Sequence, residues 1–275
     1  MNAPHLLVFD SGLGGLTVYR EVVAALPHAR MLYVADDAFF PYGGRDEGAL
    51  IARLIELMGD LVASHRPDLV IIACNTASTL VLPQLRARFQ VPFIGTVPAI
   101  KPACALSVSK RVSVLGTQAT IAREYTRALI RDFANGTDIT LVGSGALAAL
   151  AEAQLRGEAV ADAAIAAELE PCFVDADGRR TDTVVLACTH YPLLIDRLTA
   201  LAPWPVRFID PAPAIARRAL ELMGSRMGSP AGPQPAAKGQ ILFTSGRPPS
   251  PALAAALSGF GLGETAPDSG CQAAV

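Results

Sequence analysis

Two parallel-sheet α/β lobes of related plan, each layered αβα and facing the other across a cleft, are the architecture the sequence predicts. Three observations carry that reading. Short apolar runs alternate with helically spaced stretches along the chain, the pattern of βαβ units whose sheets are covered by helices on both faces. The strand–turn–helix plan of the N-terminal part returns after residue 110. One short signature also occurs twice, as Ile71-Ile72-Ala73-Cys74-Asn75-Thr76 and Val185-Leu186-Ala187-Cys188-Thr189-His190. Each copy is a buried-strand run followed by Ala-Cys and two hydrogen-bonding residues. Residues just past such a strand sit at its carboxyl edge, where open parallel sheets bind ligands.

Taken in order, Leu6-Leu7-Val8-Phe9 is a strand that ends at Asp10-Ser11-Gly12-Leu13-Gly14-Gly15, and Leu16 to Leu26 has helical spacing up to Pro27. The glycines suggest a dinucleotide loop, but Thr17 breaks G-x-G-x-x-G and an acid at the strand tip would repel a pyrophosphate. A tight turn presenting Asp10 and Ser11 fits better. Met31 to Ala35 is a strand leading into Asp36-Asp37-Ala38-Phe39-Phe40-Pro41-Tyr42-Gly43-Gly44-Arg45, an aromatic, glycine-rich loop with the composition of a pocket wall or a closed hydrophobic corner. Glu47 to Ser64 is an amphipathic helix, and Asp68 leads into the strand carrying Cys74. Thr76 to Phe89 is helical with a pause at Pro83, Val91 to Gly95 is a strand, and Thr96 to Pro102 is a proline-broken crossing between lobes.

Arg111 to Leu115 opens the second copy, with Gly116-Thr117-Gln118-Ala119-Thr120 as the turn into one helix running through Asp132. Asp138 to Val142 is a strand, Ala146 to Leu155 and Asp162 to Leu169 are helices, Asp175 to Gly178 is a turn, and Thr183 to Ala187 delivers Cys188. Val206 to Ile209 is a strand, and Pro213 to Met223 a helix with proline in its first turn. The Pro/Gly/Ser-rich run 224–239 reads as a loop or flap, Gln240 to Thr244 as a late strand, and Pro251 to Leu257 as a short helix. The implied division is residues 1–97 plus 209–260 for the first lobe, 98–208 for the second, and 261–275 as a tail.

Composition narrows the function. The 275 residues suit two compact lobes, half of the residues are hydrophobic, and the net charge is −2 without a basic stripe, so neither nucleic acid nor a membrane surface is an expected partner. Residues 69–85 are too polar to span a bilayer, and the N-terminus lacks a signal-peptide pattern. Five cysteines, odd in number and not spaced as zinc hooks or disulfides, point to free thiols in a cytoplasmic protein.

The chemistry then falls to a few side chains. Cys74 and Cys188 each stand at a strand-to-helix turn, where amide groups favour a thiolate, so a lowered thiol pKa is expected at both. Cys104, Cys172 and Cys271 lack that setting and read as ordinary small residues. His190, two residues beyond Cys188, and Asp10, at another strand tip, are candidate proton partners for the thiols. Cys-x-His alone is too sparse for a metal site, and the three lysines follow no phosphate-binding motif, so cofactor-free catalysis is the expectation. Two thiols in one site suit a reaction that takes a proton from one face of a carbon and returns it to the other.

Phe9-Asp10-Ser11-Gly12-Leu13-Gly14-Gly15, Pro41-Tyr42-Gly43, Ala73-Cys74-Asn75-Thr76-Ala77 and Cys188-Thr189-His190-Tyr191-Pro192 resemble, in order and spacing, the glutamate racemases of the aspartate/glutamate racemase family. The resemblance implies cofactor-independent conversion of L-glutamate to D-glutamate for peptidoglycan, with Cys74 and Cys188 as the two bases, Asp10 assisting the first and His190 the second. It also implies that Ser11, Asn75, Thr76 and Thr189 hold the substrate's carboxylate and amine. Tyr42, Gly43, Thr117 and Thr120 would join the pocket, and a homodimer would be the assembly. Ala187 stands where many members have glycine. Val97 to Pro102 and Ala151 to Leu155 resemble one bacterial subset in which a cell-wall precursor acts as activator, and Glu152 of the second stretch is either an accessory acid or a solvated helix residue. A racemase for aspartate on the same scaffold is the nearest alternative.

Overall fold

The computed structural model describes residues 3–224 and 239–263. The loop expected at 224–239 therefore falls almost wholly outside the described residues, as does most of the tail expected at 261–275. Eleven strands and eleven α-helices follow in chain order among the described residues: β1 (His5–Asp10), α1 (Leu16–Ala25), β2 (Arg30–Ala35), α2 (Glu47–His65), β3 (Leu69–Ile72), α3 (Asn75–Arg88), β4 (Phe93–Gly95), α4 (Ile100–Leu106), β5 (Arg111–Thr117), α5 (Gln118–Ala122), α6 (Glu124–Phe133), β6 (Asp138–Ser144), α7 (Leu147–Leu155), α8 (Asp162–Leu169), β7 (Asp175–Ala176), β8 (Arg179–Arg180), β9 (Thr183–Ala187), α9 (Ile195–Leu201), β10 (Arg207–Ile209), α10 (Ala212–Gly224), β11 (Gln240–Phe243) and α11 (Pro251–Gly259).

Two wholly parallel sheets organise them, one in the order β11-β2-β1-β3-β4 and the other in the order β10-β9-β5-β6. The expected two-lobed parallel α/β architecture is the one adopted. In β1 the side chains of Leu6 and Val8 enter the core on one face, those of Leu7 and Phe9 the core on the other, and all four are fully buried. That is why such a strand reads as a continuous apolar run rather than an alternating one. The register pairs Phe9 with Val34 and with Ile72, so the carboxyl ends of β1, β2 and β3 lie side by side. In the second sheet Gly116 pairs with both Gly143 and Ala187, which lines up the ends of β5, β6 and β9 in the same way.

Three local departures from the expected elements have physical causes. The helix expected to run unbroken from the turn at Thr117 through Asp132 is split at Arg123, whose backbone is extended (φ −65°, ψ 136°). The Arg123 side chain forms an ion pair with Glu47 of α2, and the freed carbonyl of Thr120 accepts from Thr126 Oγ1 at 2.7 Å. The proline-broken crossing contains a real helix, α4, which buries Ile100, Ala103 and Cys104 against the second sheet's core. The turn at 175–178 is the tip of a small antiparallel hairpin, with Asp177 (φ 53°) and Gly178 (φ 70°) both in the left-handed region.

Candidate active site

Both cysteines emerge from carboxyl edges, one from each sheet. Ala73 and Cys74 follow β3, and Cys74 itself caps α3, its sulfur accepting from the Ala77 amide at 3.5 Å. Cys188 follows β9 and precedes a 3-10 turn over Tyr191–Leu194. Both thiols are buried and both line one cavity of about 170 Å³. That is small against the ~300–1,000 Å³ of pockets for drug-sized ligands, and it fits a substrate of amino-acid size.

Of the residues singled out in the sequence, Ser11, Tyr42, Gly43, Asn75, Thr76, Thr117, Thr189 and His190 also line this cavity. Asp10 and Thr120 stand one layer behind it. Asp10 is fully buried, accepting from the Gly12 amide (2.9 Å) and from Thr189 Oγ1 (3.2 Å), so it fixes Thr189 across the lobes. Thr120 Oγ1 lies 3.3 Å from Thr76 Oγ1 and accepts from Thr117 Oγ1 at 2.9 Å, tying the two sheets' edges together. Asn75 differs from all of these. Its amide oxygen and nitrogen are buried with no hydrogen-bond partner, in a cavity wall. Buried amides are almost always paired, so the Asn75 amide in this cavity wall has both of its polar atoms available to a bound molecule.

Electrostatics overturn the expectation of a lowered thiol pKa at Cys74. Burial pushes the Cys74 thiol up to about 12, with Asp10 reinforcing the effect. The amide of Ala77 and the hydroxyl of Ser11, 3.6 Å from the sulfur, pull the other way and do not compensate. Position at a helix start therefore does not make Cys74 a thiolate in the free protein; desolvation and a neighbouring carboxylate outweigh the helix. On the other side, His190 Nδ1 lies 3.8 Å from Cys188 Sγ and Nε2 lies 3.0 Å from Glu152 Oε1. Burial opposes a charge on this imidazole, but Cys188, Glu152 and Asp10 together raise its pKa well above the ordinary value.

Glu152 is not a solvated helix residue. It is buried, accepts from the Leu13 amide at 2.8 Å and pairs with Arg156 at 2.8 Å. Burial works against its ionised form, yet bonds from His190, Arg156 and Leu13 bring its pKa down to about 2. The Gly14 amide also approaches His190 Nε2, at 3.2 Å, and makes a hydrogen bond there only when that nitrogen is unprotonated. Nε2 thus has one partner for each protonation state. The glycines of the first turn exist for this approach: a Cβ on Gly14 would sit 2.6 Å from His190 N, and one on Gly12 would collide with the Glu152 carboxylate. Gly14→Ala is expected to destabilise the fold by about 1–3 kcal/mol and cut turnover about 10²-fold, read by thermal melting and by racemisation rate.

The cavity also holds Phe40, from the loop read as a pocket wall or a hydrophobic corner, and residues to which the sequence reading gave no individual role. Phe40 packs against the His190 ring (centroids 5.5 Å apart), and Gln118, Ser144, Gly145 and Ala148 complete the wall from the second lobe. Ser144 had a usable signal, since it ends β6 as Thr117 ends β5. Gln118 and Ala148 had none.

A family profile described as Asp/Glu/Hydantoin racemase matches residues 6–219. The chain belongs to that family. Glutamate racemases of Rhizobium meliloti and Brucella canis are 55% and 51% identical to it, in each case over 94% of this chain and 92% of theirs. The crystal structure of Escherichia coli glutamate racemase in complex with L-glutamate and activator UDP-MurNAc-Ala superposes with a TM-score of 0.85, at 38% identity over 96% of this chain and 98% of that one. Within the racemase family the chain therefore groups with the glutamate racemases, which are amino-acid isomerases. No helix among the described residues of this racemase-family chain is long and apolar enough to cross a membrane.

Proposed function

We propose that the chain racemises glutamate without a cofactor, by a two-base mechanism in which Cys74 and Cys188 act on opposite faces of Cα, and that in the cytoplasm it supplies D-glutamate for peptidoglycan. The observation that carries this is the placement of two buried thiols, from two different sheets, in the wall of one small cavity that also presents the unpaired amide of Asn75.

In each turnover the thiolate of one cysteine takes the Cα proton while the thiol of the other gives a proton to the opposite face. The C–H bond broken on one side is replaced on the other, and the thiol and thiolate have exchanged positions. Asn75, Ser11, Thr76 and Thr189 bind the α-carboxylate and amine and stabilise charge that builds on the carboxylate as the proton leaves. Asp10 holds Thr189 and keeps the proton on Cys74, which makes Cys74 the resting acid; His190, backed by Glu152, moves a proton to or from Cys188. Tyr42, Gly43 and Thr117, with Thr120 behind, close the wall and exclude water.

The relatives' cell-wall setting extends to regulation. A second cavity, of about 490 Å³, lies where the chain crosses between lobes and combines Val97, Pro98 and Phe133 with Lys101, Arg217 and Arg218. Apolar walls beside cations suit an anionic sugar nucleotide, and the E. coli enzyme was crystallised with an activator of that class. This supports activation of the chain by a peptidoglycan precursor.

The test is incubation with L-glutamate in deuterated water without added cofactor. D-Glutamate carrying deuterium at Cα is the expected product, seen by circular dichroism and proton NMR. Absence of the product, or a product lacking the label, rejects the mechanism, and faster turnover of aspartate than of glutamate rejects the substrate.

A further inference from the structure

Just beyond β11, Thr244 and Ser245 meet the loop that carries Tyr42. The Thr244 hydroxyl donates to Asp36 Oδ1 at 2.6 Å and accepts from the Ala38 amide at 3.3 Å, so both of its hydrogen-bonding capacities are used. Asp36 is fully buried, and Tyr42 Oη donates to its Oδ2, also at 2.6 Å. Arg53 supplies the counter-charge, with Nη2 at 2.7 Å from Oδ1 and Nε at 3.3 Å from Oδ2. The next residue, Ser245, is tied separately to Asp37 through its amide (2.9 Å) and its hydroxyl. Tyr42 therefore lines the cavity while its hydroxyl is anchored to a carboxylate, and that carboxylate is anchored in turn to the strand that arrives last in the sheet.

We infer that Asp36 and Thr244 are positioning residues for substrate binding: Asp36 clasps the Tyr42 hydroxyl, Thr244 holds Asp36, and the Tyr42 ring is thereby kept as a fixed wall of the glutamate pocket. Neither touches the reacting atoms. The inference rests on the glutamate reading above and adds to it a determinant contributed by the C-terminal strand. Short bonds to a buried carboxylate are the strong kind, and losing one partner leaves an acceptor oxygen underused. The Tyr42 ring is then less well fixed, and the cost falls on binding rather than on the thiols, which stand on other strands.

Thr244→Val keeps the shape of the side chain and removes the hydroxyl. Its KM for glutamate is expected to rise about tenfold with kcat within about twofold of wild type. Thr244→Ser is expected to restore the wild-type KM. Tyr42→Phe should raise KM similarly, and the double variant Thr244→Val/Tyr42→Phe should be no worse than Tyr42→Phe alone, because both act through one chain of bonds. Ser245→Ala, which loosens the same turn without touching Asp36, serves as the control and should leave KM unchanged.

Additive effects in the double variant, a KM increase in Ser245→Ala matching that of Thr244→Val, or equal losses in kcat and kcat/KM would each overturn the clasp. If Thr244→Val fails to fold, Thr244→Ser and Tyr42→Phe decide: a Ser variant unlike wild type, or a Phe variant identical to it, overturns the inference. Wild-type protein inert toward glutamate defeats the glutamate reading and the clasp with it. Active wild type with an unchanged Thr244→Val defeats the clasp alone.

Discussion

Cys74→Ala and Cys188→Ala are each expected to lower racemisation by at least about 10³-fold in both directions, within the ~10²–10⁴-fold range of a positioned acid or base and toward its upper end. The reason is geometric. The two sulfurs come from the ends of β3 and β9, in different sheets, and no other thiol lines the cavity among the described residues. In the proposed two-base mechanism, losing either sulfur leaves one face of Cα without a group that gives or takes a proton, and the surviving thiol would have to serve both faces. Because Cys74 is held as a thiol by burial and by Asp10, with a pKa of about 12, Cys74 in the Cys188→Ala protein is expected to resist alkylation at neutral pH and to react faster as the pH is raised toward that value, read at the peptide that carries it. Racemisation followed by circular dichroism, with mass spectrometry of the alkylated protein, reads both outcomes. Normal turnover by either variant removes that cysteine from the mechanism.

What the sequence made legible is tied to periodicity and to strand tips. Fully buried strands such as Leu6 to Phe9 and Thr183 to Ala187 are short apolar runs, and their ends are marked by the first polar residues, here Asp10 and Cys188. Because each parallel sheet aligns those ends, residues far apart in sequence but equivalent in their βαβ units had to fall at the carboxyl edge of their own sheet, and the two lobes bring those edges to one cavity. Cys74, Asn75, Thr117 and Cys188 were therefore accessible to inspection. What stayed hidden depends on contacts between elements. Arg123 stands at a helix break and pairs with Glu47 of α2, and no local pattern encodes that pairing. Glu152 has the charge of a surface helix residue and is buried only because Leu13 and His190 converge on it. The Cys74 thiol departs from the expected lowered pKa for a related reason: its position at a helix start is local, whereas the desolvation that dominates it comes from the whole fold.

Glu152 and His190 form the pair for which pH should report the mechanism most directly. His190→Gln is expected to cut kcat by about 10²–10³-fold, since in the proposed mechanism Cys188 then loses the group that moves its proton. Glu152→Gln should cost less in rate and more in pH response. In the folded protein the Glu152 pKa is lowered from 4.5 to about 2, so its ionised form adds stability above pH 4.5 that disappears as the pH falls through 2. The His190 pKa is raised, so its contribution is complete below 6.5 and is lost as the pH climbs through the raised value. Thermal melts of wild type should therefore lose stability between pH 4.5 and 2, and those of Glu152→Gln should be flatter over that window. Without the carboxylate, His190 also gives up its proton more easily, which moves the basic limb of kcat/KM to lower pH. A variant whose basic limb coincides with that of wild type would show that Glu152 braces the lobes through Leu13 and Arg156 without setting the charge on His190. The proton that reaches Cys188 would then be governed by the sulfur and the imidazole alone.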